Sequence, residues 1–111
     1  MNSDEFLAAV TSTVPATRSV VEEHRADNDG ELLLHLLMAE LLRFCVAAFQ
    51  HGDVELAQGV LAVVDRALTE GDDYLSNAVA VSFVEHSGSW ADETDRFIDL
   101  WPESLRSELD S

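Results

Sequence analysis

The segment L-L-L-H-L-L-M-A-E-L-L-R-F-C-V-A-A-F, Leu32 to Phe49, constrains the fold more than any other stretch of this 111-residue chain. It is long enough to cross a thin bilayer, but His35, Glu40 and Arg43 fall inside it, and a charged group at mid-membrane depth costs about 2.5–3.5 kcal/mol on insertion scales. The better reading is a central helix wrapped by its neighbours. The chain must then supply enough apolar surface to enclose that helix, and at 47% hydrophobic residues it does so. Its length fits one domain, residues 1–111, with one core, and disorder is not expected despite a formal charge of −16.

The remaining punctuation is helical. Gly30, Gly52, Gly71 and Gly88, with Pro15 and Pro102, divide the chain at intervals suited to helices rather than to hairpin strands. Ser3 is positioned to cap a first short helix carrying Phe6, Leu7 and Val10, and Pro15 suits the first turn of a second helix running to about Asn28. Asn28 followed by Glu31 resembles a capping box for the long central helix, which Gly52 ends near His51. Asp53 caps a fourth helix whose apolar stripe holds Leu56, Val60, Val63, Val64, Ala67 and Leu68, with Gly59 at its edge for close approach by a neighbour. F-Q-H-G-D and L-T-E-G-D recur with the same role, closing one helix and capping the next. Ser89 and Asp92 mark a further start leading into Trp90, Phe97, Ile98 and Trp101, and Pro102 opens a last turn or two. The expected fold is all-α: a single-domain bundle of antiparallel helical hairpins, about five main helices plus short terminal ones.

The stretch S-N-A-V-A-V-S-F-V-E-H, Ser76 to His86, reads two ways. Val79, Val81 and Phe83 alternate with small residues at strand spacing, but a lone strand among helices leaves its backbone groups unpaired. A helix capped by Asp72 or Asp73 is therefore expected, buried on several sides because it is apolar all round. That burial makes Asn77 and Glu85 buried polar residues in need of partners, a neighbouring loop backbone for Asn77 and Arg43 for Glu85. His35 belongs with them, on a largely apolar side of the central helix.

No catalytic or ligating pattern is present: H-E-x-x-H, C-x-x-C, E-x-x-H, G-x-S-x-G, a P-loop and a dinucleotide fingerprint are all missing. No metal, cofactor or catalytic residue is assigned on this reading. Cys45, the one cysteine, reads as a small core residue. The start M-N-S-D-E-F is acidic where a secretory signal needs positive charge, so a cytoplasmic protein is expected.

Charge is the strongest functional cue. Residues 72–111 hold ten acids against Arg96 and Arg106, half of the chain's net charge of −16. Such a surface repels nucleic acid and anionic membrane and steers a basic protein toward itself. Asp92, Glu93, Asp95, Asp99 and Glu103 are the candidate partner-binding residues. Trp90, Phe97 and Trp101 read as core, with Trp101 doubling as a candidate anchor.

Ser76–Glu85 together with L-W-P-E-S-L-R-S-E-L, Leu100 to Leu109, resembles a family of small acidic, all-helical bacterial proteins of unassigned function, some of them encoded beside polymorphic toxin genes. The likeness runs from about Glu31 to the C-terminus and its motifs are structural. It implies an all-helical fold and an immunity role, and it brings no catalytic residues. The expectation is a non-catalytic interaction module, an immunity-type inhibitor of a basic toxin or nuclease. Two alternatives stand beside it: a small hydrolase-like enzyme using Glu85 with a nearby histidine, His35 or His86, and a helical module that only forms a homodimer through apolar faces.

Overall fold

The computed structural model describes residues 1–84 and 94–110. Among these residues the chain is all-α, with seven α-helices, one π-helical segment and no strand. The helices are α1 (Ser3–Thr13), α2 (Thr17–Asp27), α3 (Leu34–Gln50), α4 (Val54–Glu70), α5 (Asp73–Ala78), α6 (Thr94–Ile98) and α7 (Glu103–Asp110). The π-helical segment, Val79–Val84, continues α5 directly.

Helix starts follow side-chain capping, which satisfies backbone N–H groups that have no partner in the first turn. Asn2, not Ser3, caps α1: its side chain accepts from the Glu5 N–H while the Glu5 carboxylate accepts from the Asn2 N–H. Asp53 and Asp72 cap α4 and α5 by accepting from the N–H groups of Leu56 and Leu75. The cap of α7 comes from elsewhere in the fold, since the Asp65 carboxylate on α4 accepts from the Leu105 N–H (3.2 Å), tying α7 to the bundle.

The Asn28–Glu31 capping box is not formed. α2 instead closes with the Gly30 N–H on the Arg25 carbonyl (2.7 Å), and Asp29 and Gly30 at φ +55° and +84° turn the chain away from a helix. Left-handed residues at a C-terminus close a helix by returning an N–H to its last carbonyls. The central helix therefore starts at Leu34, three residues after Glu31. Pro15 likewise precedes α2 instead of lying within it; the Thr17 hydroxyl, fully buried, donates to the Val14 and Val10 carbonyls and locks the α1–α2 corner.

α3 is the hub. It packs against α2, α4, α5 and the π-helical segment, and Leu34, Leu37, Met38, Leu41, Leu42, Cys45, Val46 and Ala48 are all buried. α4 covers its next face, with the Cys45 thiol donating to the Ala57 carbonyl across the hairpin (3.3 Å). Burial in this contact pushes the thiol pKa up to about 12, because the apolar surroundings disfavour the thiolate. Gly59 on α4 lets the α1–α2 corner approach: a Cβ there would stand 2.7 Å from a Val14 methyl, well inside contact distance.

The Ser76–His86 stretch is helical over its described residues, and it changes its winding part-way. Tyr74, Asn77 and Val81, spaced i, i+3 and i+7, stay on one exposed side across the change from α to π winding. Val79, Ser82, Phe83 and Val84 are buried, while Val81 is 38% exposed. The strand-like alternation of valine and small residues thus belongs to a π turn packed on α3. Asn77, expected to be buried, is exposed, because α5 is covered on one side only. Glu85 and His86 lie outside the described residues, as do Gly88, Ser89, Trp90, Asp92 and Glu93.

Candidate functional site

The polar chemistry of the interior gathers on two flanks of α3. On the first, His24 projects from the last turn of α2 and is fully buried. Its Nδ1 is 2.6 Å from Glu40 Oε1 on α3, and its Nε2 accepts from the Leu33 N–H (2.9 Å), just ahead of α3. A ring nitrogen that accepts carries no proton, so the neutral ring is the Nδ1–H tautomer, donating to Glu40. Both nitrogens are committed, and Nε2 is closed off by backbone. The arrangement orients a histidine as a hydrolase dyad would, yet leaves no lone pair for a substrate proton.

On the second flank, His35 in the first turn of α3 places Nδ1 2.8 Å from Ser82 Oγ on the π turn. The Tyr74 ring meets the imidazole edge-on with centroids 5.9 Å apart. His35 is half-buried, Ser82 is 5% exposed and Tyr74 is 56% exposed. A serine and a histidine at this separation satisfy the nucleophile–base distance. Ser82 is enclosed, however, and no carboxylate among the described residues bonds His35 to orient it as a third member. Among the described residues no group of three His, Cys, Asp or Glu side chains is placed to hold a metal.

The other sequence-derived site residues scatter. Arg43, expected to be buried against Glu85, is exposed on α3 and makes no ion pair with a described residue, since it falls on the solvent strip between the two flanks with Leu36 and Ala47. Asp99 and Glu103 are exposed, and the side chain of Asp95 lies outside what is described. Trp101 is not a surface anchor: it is 3% exposed, packed on Phe83 and Phe97 with centroids 5.7 Å and 5.9 Å away. Aromatic pairs at these separations and tilts are favourable core contacts, and Phe97 in turn meets Phe49. The Trp101 indole N–H finds no acceptor among the described residues.

His24, Glu40, Ser82 and Tyr74 escaped the sequence reading. One signal for His24 was available: Thr17, Val21 and His24 stand at i, i+4 and i+7, the buried stripe of an otherwise polar helix. Ser82 had a signal too: Leu75, Ala78, Val79, Ser82 and Phe83 stand at i, i+3, i+4, i+7 and i+8, the buried stripe of their segment.

A family model described as a domain of unknown function, DUF7674, matches residues 7–111. The chain belongs to this family. No curated protein and no solved structure matches it. The match takes in both flanks of α3, so the His24 and His35 contacts lie inside the family's domain. No described helix is long and apolar enough to cross a membrane.

Proposed function

We propose that this domain is a non-catalytic interaction module that binds a basic protein through its acidic surface, in the manner of an immunity-type inhibitor covering a toxin or nuclease in the bacterial cytoplasm. The observation that carries the reading is charge without compensation. At −16 overall, the chain has Asp73, Asp99 and Glu103 exposed and without an ion pair among the described residues. Exposed, unpaired acids raise the association rate with a cationic surface and contribute little to folding. The chemistry of the interior supports the same reading, because His24 has no free nitrogen and Ser82 is enclosed.

With Trp101 turned inward, the anchor passes to Tyr74. Among the described residues it is the most exposed of the large hydrophobic side chains, its ring is braced by His35, and it follows Asp72 and Asp73 directly. Tyrosine is enriched among residues that dominate interface energies, and an acidic border suits a partner whose apolar contact is ringed by arginine or lysine.

The test is association kinetics with the basic protein retained by the immobilised domain, at low and at high salt. The triple variant Asp73→Asn, Asp99→Asn, Glu103→Gln should slow association several-fold at low salt and little at high salt, since exposed charges are screened over about 10 Å at 0.1 M ionic strength. Tyr74→Ala should instead speed dissociation. Wild-type kinetics from the triple variant at low salt would remove the physical basis of the proposal.

A further inference from the structure

We propose that His24 is a proton-operated latch holding the Asn28–Leu33 loop and the start of α3 against α2. The geometry leaves a proton one place to go. Nδ1 already faces the Glu40 carboxylate at 2.6 Å, so a second proton on the ring must occupy Nε2, the atom that accepts the Leu33 N–H at 2.9 Å. Two N–H groups cannot share that line. Protonation therefore breaks the Leu33 bond, and because the ring is fully buried the imidazolium N–H finds water only if the loop moves off.

The loop is built to move as one piece. Its entry is fixed to α2 by the Gly30 N–H on the Arg25 carbonyl, and by the Asn28 side-chain amide on the His24 carbonyl (2.7 Å). Its exit, Leu33, has no side-chain cap to offer α3; Leu32 packs on the core here, and the bond from the Leu33 N–H to His24 is the polar side-chain contact at this end. Opening turns about Asp29 and Gly30, at φ +55° and +84°.

The charged surroundings of His24 on each packed element are few. α3 supplies Glu40, bonded to the ring and 21% exposed at its side chain. The ionisable neighbours on α2 (Glu23, Arg25 and Asp27) and in the loop (Asp29 and Glu31) are all exposed, as are Asp4 and Glu5 on α1. Among the described residues Glu40 is thus the carboxylate that holds the imidazolium once formed, so the proton is retained by α3 while the loop departs.

The experiment is NMR on the whole chain, following the His24 ring nitrogens and the Leu33 amide between about pH 7.5 and about pH 5, the range over which histidine ordinarily changes charge. At the upper end His24 should be the Nδ1–H tautomer. On acidification the Leu33 amide should lose protection against exchange by about tenfold or more, with the midpoint of the His24 titration, while amides in the middle of α3 and α4 keep theirs. His24→Gln carries a carbonyl for the Leu33 N–H and an amide donor for Glu40 but takes up no proton, so it should hold the loop closed over the same range. An Nε2–H tautomer at neutral pH overturns the latch. So does a Leu33 amide that stays protected while His24 titrates, or one that opens with a different midpoint. Those two readings need only the wild-type chain, so they decide the matter even where the glutamine variant folds poorly.

Discussion

On its α2 flank α3 meets a histidine that is fully enclosed and bonded at both nitrogens, while on its π-turn flank it contributes one that is half-buried and bonded at one. The partners differ in kind as much as the burial does. His24 joins a carboxylate and a backbone N–H, groups that are costly to leave unpaired inside a protein; His35 joins a hydroxyl and an aromatic edge, both of which lose less when it goes. The first flank is therefore structural and tightly specified. The second is a shallow surface feature with Tyr74 at its rim, where a partner is able to reach.

The sharpest break of this comparison is His24→Ala. It removes a hydrogen bond to a charged group, orphans the Leu33 N–H and leaves a cavity between α2 and α3, for a loss of about 3 kcal/mol in denaturant unfolding. A loss below about 1 kcal/mol would show that the two flanks are equivalent after all.

α3 also carries Cys45, fully buried on the α4 side, which sharpens the comparison by having no charged partner among the described residues. Its thiol pKa is raised from 9.0 to about 12 by burial. The unfolded chain then releases this proton first. Its stabilising contribution is complete below about pH 9 and is lost as pH rises toward 12, with a slope nearing one proton, about 1.4 kcal/mol per pH unit. Unfolding measured at several alkaline pH values should show that slope in the wild type and lack it in Cys45→Ala. The chain has no lysine and one tyrosine, so few other groups titrate there.

Much of this architecture was legible in residues, and the exceptions have physical causes. The α4 stripe, the Asp53 and Asp72 caps, the close approach at Gly59 and the burial of Cys45 all follow from period and capping chemistry that act locally. The Asn28–Glu31 box failed because Asp29 and Gly30 take left-handed conformations that close α2, and an N-cap pattern cannot show that a preceding helix competes for the same residues. The candidate site was less legible. His24 and Glu40 are sixteen residues apart and His35 and Ser82 forty-seven apart, so only the packing of whole helices brings them together. The exposure of Asn77 on the uncovered side of α5 runs against the expectation of a uniformly buried helix, while Leu75, Ala78, Val79, Ser82 and Phe83 keep a buried stripe at helical spacing.

His35→Ala tests the shallow flank. Ser82 makes a further interaction beyond His35, and the imidazole is half-exposed, so the expected loss is about 1 kcal/mol, a third of that at His24. Tyr74 fluorescence should report the change as its ring loses the edge contact. A loss equal to that of His24→Ala would mean that the π turn depends on this hydrogen bond for its packing.

The smallest effects are expected on the strip between the flanks and on the open side of α5. Arg43 and Asn77 are both exposed and neither has a hydrogen bond or ion pair with a described residue, so Arg43→Ala and Asn77→Ala should each change stability by less than about 0.5 kcal/mol. A buried Arg43–Glu85 pair would behave quite differently. Removing one partner of such a pair costs about 3–5 kcal/mol, because a charge is left without compensation in a dry interior. Thermal or urea unfolding of Arg43→Ala separates these by a wide margin. The same variant bears on the partner surface: Arg43 is an exposed cation on an acidic domain, and replacing it raises the net negative charge from −16 to −17. If a basic protein docks against the neighbouring Tyr74 side, Arg43→Ala should leave folding unchanged and modestly speed association at low salt, an effect that vanishes as salt rises. Slower association would place Arg43 in contact with an acidic group of the partner and reverse the assumed sign of the recognised surface.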